Sequence, residues 1–557
     1  MDISLDGAGS LRPQMAGMAD TGISALLIDR SPEMRGNLRA MLGQCGIEDV
    51  QPATNAAAAI RKLGERVFDL ILCEYALGEG QDGQHLLEDL RTHRLIPLST
   101  LFIMVTAESS YERVVSAVEF APNDYLLKPF TADSLFQRIG RALEKRDAFM
   151  PAYDLIEIGN LQAAAERCRE GESLAPQYAI DFMRLRAELL VALSQAEEAQ
   201  DLYRRVLESK AVPWARLGLA RTLYMQKRFP EAEDDLQLLV KENRQYVDAH
   251  DWLARTLEAA GRLTEAQHAL EEAVAVSPHA LRRLKRLGDI ALETGDMATA
   301  EKALSEVVRK GKYSDFRNPE HHVKLVKVFV AKGDRMQAEK TIRDLDRSMQ
   351  GMEQTEACSA LSSAIVLSQA GEKGQALAAL HRAVAASRTN ATLSDDLKID
   401  LVKSCLEHQL HDAAAEVISE VMRNAADDHA LAKAKGVLEE AGLQSMADEL
   451  ALKTRQDVLD LVATGARHAE SGDFEGAVDF MLQAVRKTPG NTQVGMNAAL
   501  ALLKLIEHRG WNEKFAAQAR SLVDRARHSD PSNPRLASLT AYFQNMLSKY
   551  GIQPGRS

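Results

Sequence analysis

Aromatic residues are scarce in this sequence: Phe, Trp and Tyr supply 5% of its 557 residues, although 46% are hydrophobic. With so few rings the interior has to be filled by aliphatic side chains and by the abundant alanine, a composition that suits close-packed helices more than sheets. Cysteine is scarce too. Cys45, Cys73, Cys168, Cys358 and Cys405 are odd in number, far apart and outside any CxxC pair, which argues against a disulfide framework or a thiolate metal site. Reduced, buried thiols in a cytoplasmic protein are expected instead. No apolar run approaches the ~20 residues of a membrane span. Residues 1–22 have early acidic residues and no continuous apolar core, so a disordered cytosolic leader is expected there. Positive charge is in deficit, with 68 Lys and Arg against 80 Asp and Glu, net −12. Nucleic-acid binding draws on clustered Lys and Arg, so neither nucleic acid nor membrane is an expected partner. There is no Gly-rich phosphate loop and no GxSxG, and His321, His322 and His411 lack a zinc spacing or a paired base. The chain is therefore not expected to be an enzyme.

What is present begins with alternating strand and helix patterns. The apolar run Ala25 to Ile28 stops at Asp29, and a helix-like stretch from Pro32 to Leu42 follows. Phe68 to Cys73 then ends at Glu74, Leu101 to Val105 at Thr106, and Asp124 to Leu127 at Lys128. Short buried strands alternating with helices imply a parallel sheet covered on both faces. In such open sheets the polar site lies beyond the carboxyl ends of the strands. Asp29, Glu74, Thr106 and Lys128 each follow an apolar strand, so they are expected to converge.

The segments LLIDRSPEMR, FDLILCEYALGEGQDG, FIMVTA and DYLLKPF, in that order, resemble the receiver domain of two-component response regulators. The resemblance covers residues 23–146 and implies a CheY-like, flavodoxin-like α/β fold with a five-stranded parallel sheet. In that family an acidic pair follows the first strand and holds magnesium, an aspartate after the third strand accepts a phosphoryl group from a histidine kinase, and a Thr or Ser and a Lys sense it. Tyr125 falls where receivers carry a switch aromatic, and Lys128-Pro129 matches a Lys-Pro pair whose peptide bond is commonly cis.

Two positions depart from the pattern. The second acidic position is Arg30, and the phosphoacceptor position is Glu74. Magnesium wants oxygen ligands, so a guanidinium in that pocket removes a ligand and adds a repelling charge. Metal binding is expected to be weak or absent, with Asp29 and Glu74 as the remaining ligands. Magnesium enters as a cofactor only if the receiver is functional. The longer Glu74 reaches to about where an aspartyl phosphate oxygen would lie and could pair with Lys128 or Arg30. Three readings stay open: a receiver held in an activated-like state without phosphate, a degenerate receiver in which Glu74 only stabilises, and an engineered stand-in for a natural aspartate. The last leaves Arg30 unaccounted for. The loop Tyr75 to Gly83 is one residue longer than usual and lacks the family's Met-Pro step.

Beyond Lys145 the strand patterns vanish. Trp252, Leu253, Ala254, Leu257, Gly261, Ala266, Leu270, Ala273 and Pro278 are similar to the tetratricopeptide (TPR) pattern of small residues in each helix, a turn glycine and a closing proline. The second-helix alanines Ala164, Ala199, Ala232, Ala266 and Ala300 are separated by 35, 33, 34 and 34 residues, the period of this repeat family. Ala338, Ala376 and Ala414 follow at 38, and 63 residues separate Ala414 from Ala477. Residues 147–530 are thus expected to form about ten helical hairpins, irregular near 425–455, stacked as an all-α superhelical solenoid because no hairpin buries its apolar face alone. Residues 531–557 are expected to be a capping helix and tail.

The resemblance implies a protein partner in the repeat groove, and a histidine kinase or another response regulator at the receiver. A homodimer through the receiver face at residues 111–145 is the further expectation. The basic run Arg282, Arg283, Lys285, Arg286 is a candidate site for an acidic partner, or a solvated helix face. The functional expectation is an atypical response regulator acting as a cytoplasmic signalling scaffold or adaptor. The alternatives are a phosphorylation-controlled regulator that switches dimerisation or TPR access, and a chaperone-like TPR protein.

Overall fold

Strand β1 (Ser24–Ile28), β2 (Asp49–Ala53), β3 (Leu70–Glu74), β4 (Leu101–Thr106) and β5 (Asp124–Leu127) form one parallel sheet of order β2-β1-β3-β4-β5. The computed structural model describes residues 22–78, 82–92, 95–106, 122–157, 160–193, 195–209, 212–278, 280–311, 317–388, 393–424, 428–488, 491–529 and 534–550. The leader, part of the Tyr75 to Gly83 loop, residues 111–121 of the proposed dimer face and Pro531 lie outside them.

Apolar patterning explains the sheet. Leu26, Ile28, Ile71, Cys73, Phe102 and Met104 face one core, while Ala25, Leu27, Leu70, Leu72, Ile103 and Val105 face the other. Both faces are dry, as expected of a parallel sheet under helices. β2 carries no such run. Its sequence, DVQPA, includes Pro52, which is tolerated because β2 is an edge strand paired only with β1. Helix α1 (Pro32–Gln44) starts at Ser31, whose side chain accepts from the Met34 amide, and α2 (Ala56–Glu65) starts at Asn55, which accepts from Ala58. Helix α3 (Gly83–Thr92) presses Leu86, Leu87 and Leu90 onto the sheet.

The next described helix, α4 (Ala132–Glu157), does not end near Lys145 as the loss of strand pattern suggested. It runs through Pro151 for 26 residues. An interior proline costs about 3 kcal/mol. Burial of Phe149 and Ala152 offsets that cost, with Phe149 stacked on Phe182 at 3.9 Å between ring centroids and Lys145 paired to Asp181 at 2.8 Å.

Every described element from Leu161 to Lys549, apart from the short 3-10 turn Pro176–Tyr178, is an α-helix. The expected second-helix alanines from Ala164 to Ala477 are all fully buried, and each is the fourth residue of its helix. Five residues before most of them the backbone is left-handed: Gly261, Gly295, Gly333, Gly371 and Gly472 take positive φ, as do Lys227 and Gln409. The hairpin thus has a fixed local grammar, a left-handed turn residue followed by an alanine where the partner helix comes closest.

The interval expected to be irregular follows the same grammar. Gly442 is left-handed, Ala447 is fully buried, and both belong to the hairpin of Asp428–Glu440 with Gln444–Glu470. That second helix is 27 residues long. Its far end also packs as the first helix of the next hairpin, where Gly465 meets Met481. Ala447 divides the gap between Ala414 and Ala477 into 33 and 30 residues, and one helix serving two hairpins removes a turn from the shorter interval.

The described residues divide into two compact units. One comprises Met1–Glu157, Ala164–Ala187 and Glu197–Asn318, and the other Ile158–Ala163, Glu188–Ala196 and Pro319–Ser557. In the second, Leu536, Leu539 and Phe543 of the last helix, Pro534–Lys549, close a core with Leu502, Leu505 and Leu522.

Candidate functional site

The sheet brings Asp29, Glu74 and Lys128 together. Asp29 follows β1, Glu74 ends β3 and Lys128 follows β5, so a parallel sheet has to deliver all three to one rim. The Lys128 ammonium is 3.3 Å from Asp29 Oδ2 and in direct contact with Glu74 Oε2. All three side chains are largely buried. Asp29 is held further by the Ser31 amide, which donates to Oδ1 at 2.8 Å, and its carbonyl accepts from Arg35 at 2.5 Å. The other Glu74 oxygen accepts from the Ala76 amide at 3.2 Å. Of the two cations considered for Glu74, the partner is Lys128. Arg30 is exposed and lies over Gly78, with no ion pair to Glu74 among the described residues. A Cβ at Gly78 would sit 2.9 Å from the guanidinium of the exposed, movable Arg30, so it is the backbone, with φ +98, that calls for glycine there.

Thr106 is buried at the end of β4, and its carbonyl accepts from the Lys128 amide at 2.8 Å. The Lys128-Pro129 bond is cis. The Tyr125 ring packs against the core containing Phe102 and Met104, and burial foremost, then the neighbouring Tyr75, pushes its phenol up. Burial likewise raises the Cys73 thiol, helped by Glu74, Asp82 and Asp29. Gly83 closes the site loop. Its amide donates to the Tyr75 carbonyl at 2.8 Å, and a Cβ there would lie 2.5 Å from the Glu74 carbonyl oxygen.

A resident magnesium ion does not fit these donors. It would need oxygen ligands in near-octahedral array at about 2.0–2.1 Å, yet both carboxylates already hold Lys128 and the second acidic position after β1 is Arg30. No group of three His, Cys, Asp or Glu suited to a metal occurs among the described residues. What the arrangement offers is a fixed ion triad of net charge −1.

The basic run on helix Leu281–Thr294 is not one uniform surface. Arg283 is buried and makes a bidentate pair with Asp251 at 2.8 and 2.7 Å, and Arg286 pairs with Glu258, whereas Arg282 is exposed and Lys285 half-buried. Arg283 is therefore built into the hairpin stack. The run had masked a wider feature on the first helices of three successive hairpins. Arg221 and Arg255 lie 5.2 and 4.8 Å from the centre of the Trp252 ring, with Tyr224 edge-on to it at 5.5 Å. Burial, followed by repulsion from Arg282 and Arg286, lowers the Arg255 pKa. Cation and aromatic residues one hairpin apart were the available signal.

No described helix is long and apolar enough to cross a membrane. The response regulator receiver domain family matches residues 25–140, and the tetratricopeptide repeat family matches residues 184–247 and 253–315. Neither is an enzyme family. The chain is 25% identical over 131 residues to the chemotaxis protein CheY-3 of Vibrio cholerae, covering 24% of this chain and 99% of that one. It is 33% identical over 145 residues to the transcriptional regulatory protein ZraR of Escherichia coli O157:H7, of which it spans 32%, with 26% of this chain covered. Among solved structures, a Francisella response-regulator receiver domain aligns at 24% identity with a TM-score of 0.20, covering 22% of this chain and 98% of that one. A tetratricopeptide repeat protein from Parabacteroides merdae aligns at 13% identity with a TM-score of 0.30, over 46% of this chain and 96% of that one. Together with the sheet order and the alanine register, the family matches identify a response-regulator receiver domain at residues 25–140 of this chain and tetratricopeptide repeats within residues 184–315.

Proposed function

We propose that this chain is an atypical response regulator that serves as a signalling scaffold, docking a protein partner on its repeats while its receiver works without phosphorylation. The observation that carries the reading is the Lys128 ammonium held at once by Asp29 and Glu74. A receiver that signals by phosphate needs a metal-binding acidic pocket and a free acceptor. Here the acceptor position is a glutamate already neutralised by the cation that would otherwise sense the phosphoryl group. The relatives named above, a chemotaxis protein and a transcriptional regulator, support placement in two-component signalling. A histidine kinase or a second regulator, a receiver-mediated homodimer and a cytoplasmic location belong to the same proposal.

The test is incubation of the full chain with magnesium and acetyl phosphate. The expected result is no acid-labile, hydroxylamine-sensitive adduct and unchanged partner affinity. An adduct on the wild-type chain would instead establish the phosphorylation-controlled reading. Glu74→Asp is the companion variant. If it gains phosphorylation and partner binding then changes, the glutamate is a substitute for the phosphorylated state, and identical behaviour assigns it to stability alone.

A further inference from the structure

Helix α3 has a face that an isolated receiver would leave in water. Leu86, Leu87 and Leu90 point to the sheet, and at 100° per residue His85 and Glu88 fall on the opposite side. Yet His85 is 4% exposed, the adjoining Gln84 is 7% exposed, and Glu88 and Asp89 are half-buried. His85 is pinned by Asp82, with Nδ1 2.9 Å from Oδ1.

Charged residues of the repeats, in the same compact unit, lie within electrostatic reach of that face. Arg282 and Arg283 act electrostatically on Glu88, and Lys310 acts on Asp82. Tyr153, on the extension of α4 past the receiver, acts on Arg91. Burial raises the Glu88 carboxyl first, and His85, then Arg282 and Arg283, pull the other way. The charge pattern is complementary. Glu88 is paired electrostatically with Arg282 and Arg283 of the first helix Leu281–Thr294, and Asp82 with Lys310 of the second helix Met297–Gly311, in a chain whose overall charge is −12. Arg283 is held rigid by Asp251, so part of the surface is preorganised.

We propose that the surface centred on Leu281–Thr294 is a docking site for an acidic helix, and that α3 of this chain's own receiver is its occupant. A protein partner with an acidic helix must then displace the receiver to reach that surface. This rests on reading the repeats as a protein-binding region, but its test is independent of phosphodonor chemistry.

The native cysteines are all buried, so a cysteine placed on α3 gives a clean thiol-labelling readout. In the full chain His85→Cys is expected to label at least tenfold more slowly than a cysteine at exposed Arg39. Adding Glu88→Arg or Arg282→Glu is expected to speed labelling about tenfold, and combining both reversals to restore slow labelling. Arg282 is exposed, so its reversal leaves the fold intact, and an unchanged thermal midpoint checks this. Labelling of His85→Cys as fast as the Arg39 control, or a rate indifferent to the Arg282 reversal in folded protein, would overturn the proposal. So would failure of the double reversal to restore protection.

Discussion

In the receiver, Lys128 meets residues 54 and 99 positions away in the chain, Glu74 and Asp29, and only the completed sheet brings them together. In the repeats, each buried turn alanine from Ala232 to Ala477 answers to a left-handed residue five positions before it and to a neighbouring helix. The receiver is specified by long-range pairing and should lose its site as one piece. The repeats are specified by nearest neighbours and should respond locally. The same contrast explains tolerance. A one-residue difference at the rim, Arg30 where the receiver pattern has an acid, changes the set of oxygen donors there, while spacings of 33 to 38 between alanines leave the hairpin intact.

The largest expected effect that would break this comparison is at Leu72, fully buried in β3. Leu72→Ala should cost about 2–5 kcal/mol, read as lost hydrogen-exchange protection across β1, β3 and β4 together. Protection in the core around Leu361 and Val402 should stay unchanged; joint loss would show that the two units do not unfold independently. Next is Ala447→Leu, expected to cost about 1–3 kcal/mol by overpacking, as at Ala266. A urea-unfolding change within about 0.5 kcal/mol, the usual surface range, would mean that Ala447 does not hold the repeat register.

A smaller gain is expected at Lys227, which holds φ 60 where neighbouring repeats place glycine. Relief of left-handed strain is worth about 1–2 kcal/mol and the added flexibility of the unfolded glycine costs about 0.4–1 kcal/mol. Lys227→Gly should therefore raise the thermal midpoint slightly, and a lower midpoint would contradict the turn grammar. The smallest effect concerns Asp473, which caps helix Phe474–Lys487. The Gly476 amide first, and His468 second, hold its carboxyl below the usual range. Because the folded pKa is depressed, this contribution is present above the unfolded value of about 3.9 and is lost as pH falls through the folded one. Asp473→Asn keeps an accepting oxygen and removes the titration. Its stability should thus be flatter than wild type in acid and slightly below wild type near neutrality, the two converging at low pH.

The parallel sheet was legible because β1, β3, β4 and β5 are short apolar runs ending in polar residues. β2 was not, since an edge strand half in solvent carries little apolar signal and Pro52 reads as a breaker. The 34-residue period was legible through alanine, but Gly442 and Ala447 went unnoticed because one 27-residue helix does the work of two and removes the expected turn. Pro151 acts in the opposite direction, a helix breaker by sequence whose effect inside α4 is overridden by the packing of Phe149. At the site, the residue types were readable one by one. Their pairing was not, because Glu74 had two cations in reach.

The sequence by itself determined the fold classes, since apolar periodicity and the spacing of small residues act locally and survive without knowledge of distant contacts. Only the tertiary structure decided that Lys128 takes both carboxylates, that Arg30 turns to solvent and that Arg283 is buried. Those outcomes depend on which oppositely charged groups the folded backbone brings within a few ångströms, and Coulomb energy and desolvation are set by that distance and by burial.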